Sequence, residues 1–202
     1  MDDTSAILDR LRQLVPGASL DVASSTDMPT LTLDRDHLID VLRVLRDDPA
    51  LQFAFLVDVT AVDYLPAEPR FELVYHLACL GAAYATGPAA PARRLRLKVR
   101  LPAGEPRIAS VTPVYPTAGW PEREVFDLFG IHFEGHADLR RILMPDDWEG
   151  YPLRKDYPVQ IRKTAQSWSP LQLTAEEFAQ NIRGEHDRAV ADAETQLRKP
   201  RD

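Results

Sequence analysis

The sequence predicts an α/β (α+β) two-layer sandwich, a mixed sheet with helices on one face, followed by an extended C-terminal tail with a terminal helix. Three observations lead there. The element signals run helix, two strands, helix and then several strands, the order of a sheet whose helices gather on one side. The stretch RRLRLKVRLP alternates strictly between basic and apolar residues, as a strand with one buried face does. Beyond Pro145 periodicity disappears, so the domain is drawn over 1–144 and the tail over 145–202, with a helix at about 174–197.

Taken in order, Ile7, Leu8, Leu11, Leu14 and Val15 recur at helical spacing behind Asp3 or Thr4 as a cap, and Pro16-Gly17 stops them. SLDVAS and TLTLDR flank the turn-like STDMP and read as a hairpin. Residues 36–46 open on Asp36 as a cap and place Leu38, Val41, Leu42 and Leu45 on one face, and Asp47-Asp48-Pro49 ends them. FAFLVDVTAVDY and FELVYHLACL are strands rich in β-branched and large apolar residues. In the alternating strand Leu95, Leu97, Val99 and Leu101 face one way, and Arg94, Arg96, Lys98 and Arg100 the other. That basic stripe reads as a docking surface, a solvated sheet face or a charge-protected edge. A shorter strand, RIASVTPVY, leads into EREVFDLFGIHFEGH.

Composition excludes several classes. With 202 residues and a formal net charge of −7, the chain lacks the basic footprint of a nucleic-acid binder. Residues 120–157 carry 9 acids against 5 bases, the densest acidic excess and a mild pointer to a partner surface. A single cysteine, Cys79 in an apolar run, excludes an internal disulfide and a multi-thiolate zinc or iron–sulfur site. No run approaches the eighteen or so apolar residues of a membrane span. The acidic, amphipathic start MDDTSAILDRL fits neither a secretory signal nor a transit peptide, so a reducing, cytosolic setting is expected.

EREVFDLFGIHFEGH concentrates the residue types of acid–base and metal chemistry. Read as a helix from Glu122 to Gly130, with Pro121 in the first turn, it places Val125, Phe126, Leu128 and Phe129 on one arc. Glu122 falls on that arc, while Arg123 and Asp127 point away. A carboxylate aimed at an apolar layer needs a partner, and Arg140 and Arg141 are the nearest downstream forks. Glu122 and Glu124 diverge by about 200° and cannot flank one substrate. His132 and His136 are four apart but alternate with Ile131 and Phe133 between glycines. In a strand they would lie about 13 Å from each other, too far for one metal ion. No GxGxxG, GxxxxGK[ST] or HExxH occurs. No catalytic, cofactor-binding or metal residue is therefore assigned.

MPDDWEGYPLRKDYPVQIRKTAQSWSP lacks periodicity and must lie against another surface if ordered. Trp148, Tyr151, Arg154, Lys155, Asp156 and Tyr157 are its candidate partner contacts. Thr174 and Glu177 have capping-box spacing ahead of the terminal helix.

Glu122-Arg123-Glu124, two residues, Asp127-Leu128-Phe129, six residues, His136, three residues, Arg140 and, after Arg141, Ile142-Leu143 resemble the signature of one family. It is the C subunit of proton-translocating NADH–quinone oxidoreductase (respiratory complex I). The continuation RRILMPDDWEGYPLRKDYP is equally similar, and VDVTAVDY, RFELVYHL and SVTPVYPTAGW resemble the family's strand segments in the same order. Ala137 departs from the family's usual proline. The resemblance implies a cofactor-free structural subunit of the hydrophilic arm. FMN, iron–sulfur clusters and quinone would sit in other chains, where electrons pass from NADH to quinone with coupled proton translocation. It implies the quinone-site D subunit and the terminal-cluster B subunit as partners, and a peripheral position on the cytoplasmic side of the cell membrane. A homologous subunit of a hydrogenase-linked or F420-dependent complex is the related alternative. An independent enzyme using the Glu/His cluster, or an adaptor outside respiration, are the competing classes.

Overall fold

Apolar periodicity becomes three helices and a mixed sheet in the computed structural model, which describes residues 3–81, 90–158, 176 and 180. Helix α1 (Asp3–Leu14) buries Ile7, Leu8 and Leu11, with Val15 just beyond it. Asp3 and Thr4, expected as its cap, lie inside it. Strands β1 (Leu20–Val22) and β2 (Thr30–Leu33) form the antiparallel hairpin that the STDMP turn predicts. A 3-10 turn over Arg35–His37 precedes α2 (Leu38–Asp47), whose Leu38, Val41, Leu42 and Leu45 are buried. The expected cap, Asp36, is displaced by Asp34. Asp34 accepts from the backbone N–H of His37 at 3.2 Å and of Ser19 at 2.7 Å, so one side chain closes both the turn and the hairpin end.

Strands β3 (Phe55–Asp63), β4 (Phe71–Cys79) and β5 (Arg93–Leu101) run as an antiparallel meander. β5 also pairs in parallel with β2, giving the sheet order β1-β2-β5-β4-β3. The basic strand is thus the middle of five and not an edge. Leu95, Leu97, Val99 and Leu101 are fully buried. On the other face Arg96 pairs with Asp27 at 2.6 Å, while Lys98 and Arg100 pair with Glu72 at 2.9 and 3.3 Å. The stripe is a solvated, charge-matched sheet face. The buried side chains of α1, α2 and the next helix join the inward strand residues in one core, the helices lying on one face.

The strand expected over 107–115 is only β6 (Arg107–Ala109), which pairs in parallel with β7 (His132–Glu134). Beyond it the chain turns, with Val114 N–H donating to Val111 O at 2.9 Å. The reason is local. Pro113 has no N–H to give a ladder, and the N–H of Val111 is taken by a side chain described below. Residues Met1–Val159 form one compact unit and Gln160–Asp202 another. The terminal helix expected at about 174–197 lies outside the described residues, save helical Glu176 and Gln180. Among the described residues no helix is long and apolar enough to cross a membrane.

Candidate functional site

Helix α3 (Gly119–Phe129) carries the signature. Gly130 ends it at φ 70°, its N–H donating to Phe126 O at 2.8 Å, a left-handed C-cap. Glu122, Val125 and Phe129 face the core and are buried; Phe126 and Leu128 are half-buried.

Glu122 is fully buried as expected, but among the described residues no arginine meets it. One carboxyl oxygen accepts the N–H of Val111 at 2.7 Å, and the other contacts the Ser110 hydroxyl at 2.6 Å. Burial pushes its pKa up, against the pull of the Ser110 and Val111 hydrogen bonds.

The arginine expected there serves Asp127. About 140° separates the two acids around the helix, so Asp127 does point away from the sheet. It is nevertheless fully buried, because the chain returns over that side of α3. One Asp127 oxygen accepts the backbone N–H of Ile142, Leu143 and Met144 at 3.0, 2.7 and 2.8 Å. The other takes the Arg141 guanidinium at 2.7 Å. Burial would raise its pKa, but the Met144 N–H, Arg141 and the N–H groups of Leu143 and Ile142 outweigh that and hold it below the usual carboxylate range. Arg141 reaches on to the carbonyls of Trp148 and Gly150 at 2.9 and 3.1 Å.

The remaining signature residues fasten the same loop. Arg123 donates to the carbonyls of Arg140 and Arg141 at 3.1 and 3.0 Å. The Arg140 side chain makes an exposed pair with Asp138 at 2.9 Å, and Glu124 faces solvent. His136 Nδ1 accepts from the N–H of Asp138 at 3.0 Å, which leaves Nε2 as the protonated nitrogen, 3.0 Å from Gly119 O. His132 is exposed on β7 between buried Ile131 and Phe133. Among the described residues no group of His, Cys, Asp and Glu could hold a metal ion.

The surface under residues 148–157 is this chain's own domain. Arg154 donates to the C-terminal carbonyl of α3, Phe129 O, at 2.6 Å and lies over the rings of Tyr151 and Phe71, an end that favours a cation. Tyr151 packs edge-on against Phe126. It also fills the space beside Gly130, where an added Cβ would lie 2.4 Å from its ring. The N–H of Lys155 donates to Asp63 at 2.8 Å. Tyr157 donates to Glu149 O at 3.2 Å, and Trp148 N–H to Pro145 O at 3.0 Å.

Two residues that sequence reasoning missed complete the clamp. Arg70 forks onto buried Asp63 at 2.9 and 2.7 Å and onto Asp156 at 2.7 and 3.0 Å. Arg70 holds the Asp63 carboxylate well below its usual range, helped by the N–H groups of Lys155 and Leu65. The available signal was the register of β3, where Leu56, Val59, Ala61 and then Asp63 face inward.

Comparison with known proteins agrees with this anatomy. The family model described as "Respiratory-chain NADH dehydrogenase, 30 Kd subunit" matches residues 31–163. The NADH-quinone oxidoreductase C subunit of Roseiflexus sp. (strain RS-1) is 44% identical over 163 residues, 81% of this chain and 88% of that one. The protein of the same name from Saccharopolyspora erythraea is 51% identical over 131 residues, 64% of this chain and 49% of a longer relative. Among solved structures, a trypsin-resistant fragment (1–134) of Nqo5 superposes with a TM-score of 0.54 at 32% identity, covering 67% of this chain and 98% of that one. A chain of the membrane-bound sulfane sulfur reductase, an archaeal respiratory membrane complex, superposes with a TM-score of 0.61 at 28% identity over 78% of this chain and 87% of its own length. The match runs from β2 through the meander, α3 and the clamp, and this chain belongs to the family of the 30 Kd subunit of respiratory-chain NADH dehydrogenase, the C subunit of complex I.

Proposed function

We propose that the chain is a cofactor-free structural subunit of the hydrophilic arm of NADH–quinone oxidoreductase. In this reading it braces the neighbouring chains that carry electrons from NADH through FMN and iron–sulfur clusters to quinone, coupled to proton translocation. Its own role is non-catalytic. The observation that carries the reading is where the signature's charges are spent. Asp127, Arg141, Arg123, Arg154 and Arg70 all bind the chain's own backbone or carboxylates. Such a site clamps residues 138–157 and sets the place and direction in which the chain leaves the domain. The segment after Val159 is then a partner-binding tail, and the D subunit of the quinone site and the B subunit of the terminal cluster are the proposed partners. The same reading puts the chain at the cytoplasmic side of the cell membrane, attached through the complex.

The test is co-expression of the tagged full chain with D-type and B-type subunits. Capture of both, lost when residues 159–202 are removed, is expected. Equal capture by the full and truncated chains would overturn the tail's role, and stoichiometric flavin or iron in the purified chain would overturn the cofactor-free reading. The likeness to a chain of an archaeal respiratory membrane complex favours one second reading, a homologous subunit of a hydrogenase-linked or F420-dependent complex. The electron donor oxidised by the purified complex separates the two.

A further inference from the structure

Helix α3 carries two fully buried carboxyl groups in opposite surroundings. Asp127 has a guanidinium and three backbone N–H groups. Glu122 has one backbone N–H and one hydroxyl, and among the described residues it takes part in no ion pair. An unpaired carboxylate removed from water is costly enough that such a group keeps its proton instead. Two titratable groups face Glu122, and among the described residues neither hydrogen-bonds or ion-pairs with its carboxyl. Tyr75, from β4, is fully buried, and among the described residues its hydroxyl has no hydrogen-bond partner. His136, from the loop after β7, is engaged with backbone: its Nδ1 accepts from the Asp138 N–H at 3.0 Å and its Nε2 lies 3.0 Å from Gly119 O.

We propose that Glu122 is a neutral carboxylic acid in the folded protein, and that losing its proton unseats α3 and with it the loop that Asp127 holds. The hydrogen bonds around it are complete with the proton in place. In the protonated state the carboxyl O–H would donate to Ser110 Oγ across the 2.6 Å contact, freeing the Ser110 hydroxyl to donate to Thr112 Oγ1, 2.7 Å away. The Thr112 N–H donates to Ser110 Oγ at 3.2 Å, and the Val111 N–H keeps the carbonyl oxygen. Ionisation would leave an anion facing an apolar layer, with two neutral donors to offset its lost hydration. The strain falls on the first turn of α3, the element whose other end and far side hold residues 141–154. The sign is opposite to that of Asp127. A carboxyl whose proton is held more tightly in the folded state contributes stability that is complete below its ordinary value of 4.5 and is lost as pH rises through the folded value. Nothing in this depends on the partners proposed above.

The test uses the full chain and Glu122→Gln, an isostere that stays neutral, with exposed Glu124→Gln as control. Urea unfolding is followed from mildly acidic to mildly alkaline pH. Relative to Glu122→Gln, the unmodified chain's unfolding constant should rise by up to about tenfold per pH unit across the window where the folded state alone keeps the proton. Trypsin cleavage after Arg154 and Lys155 should accelerate with it, while Glu124→Gln follows the unmodified chain. A ratio constant with pH, or one moving the other way, would overturn the proposal. Should Glu122→Gln fail to fold, infrared spectra of the unmodified chain decide. A protonated-carboxyl band that disappears on raising the pH supports the inference, and carboxylate bands alone at neutral pH refute it.

Discussion

Asp127→Asn is the sharpest probe of the clamp. The substitution is nearly isosteric but removes the charge and turns one acceptor oxygen into a donor. The remaining oxygen can still accept from Ile142, Leu143 and Met144, now as a neutral acceptor. The new amide group would face the Arg141 guanidinium across the contact that is 2.7 Å in the native chain, donor against donor. Arg141, half-buried, would lose its counter-charge. Breaking a buried pair by neutralising one member costs about 3–5 kcal/mol, which for a chain of this size lowers the thermal midpoint by roughly 6–20 °C. Urea titration and thermal unfolding of the full chain measure this directly. The pH dependence has a fixed sign. Because Asp127 is held below its ordinary value of 3.8, its contribution is present above that value and is lost as pH falls through the folded one. The unmodified chain should therefore lose its advantage over Asp127→Asn only in strong acid. A loss below about 1 kcal/mol, or an advantage that persists at acid pH, would show that the pair carries little of the loop's stability.

Gly130→Ala places a Cβ 2.4 Å from the Tyr151 ring and 2.6 Å from Arg154 on a backbone with φ 70°, so a destabilisation of at least about 2 kcal/mol is expected, with faster trypsin cleavage after Arg154. Asp63→Asn and Asp156→Asn should differ although both lose a bond to Arg70. Asp63 is 2% exposed and Asp156 is 52% exposed, so the first should cost about 3–5 kcal/mol and the second under about 1 kcal/mol. Equal costs in urea unfolding would refute that ranking.

Periodicity made α2, β5 and the core face of α3 legible, because in each a single apolar stripe decides which side is buried. The hairpin was legible from turn chemistry, and Gly130 as a helix stop from its position after the last apolar residue. What failed was pairing at a distance. Helical angles put Glu122 inward and Asp127 outward correctly, yet they could not foresee a second layer over the outward side, so both arginines were assigned to the wrong acid. Arg70 and Asp156 lie 86 positions apart, and nothing local links them. The overextended strand at 107–115 failed for the same reason, since the N–H of Val111 is drawn away by a glutamate eleven residues later.

The sheet order has a consequence for how the molecule assembles itself. The hairpin β1–β2 and the meander β3–β4–β5 are each closed by local contacts, and their strands pair where Thr30–Leu33 meets Arg96–Val99 in parallel. Contacts so distant in the chain are slow to form because loop closure precedes any gain. That seam is expected to form late, after the transition state for folding. Leu31→Ala, on β2, should accordingly change the refolding rate less than Leu73→Ala, inside the meander, for the same loss of stability. The reverse order would place the seam early. Until β5 (Arg93–Leu101) has emerged from the ribosome, the N-terminal hairpin has no sheet to join, so the first two strands made must wait for the fifth.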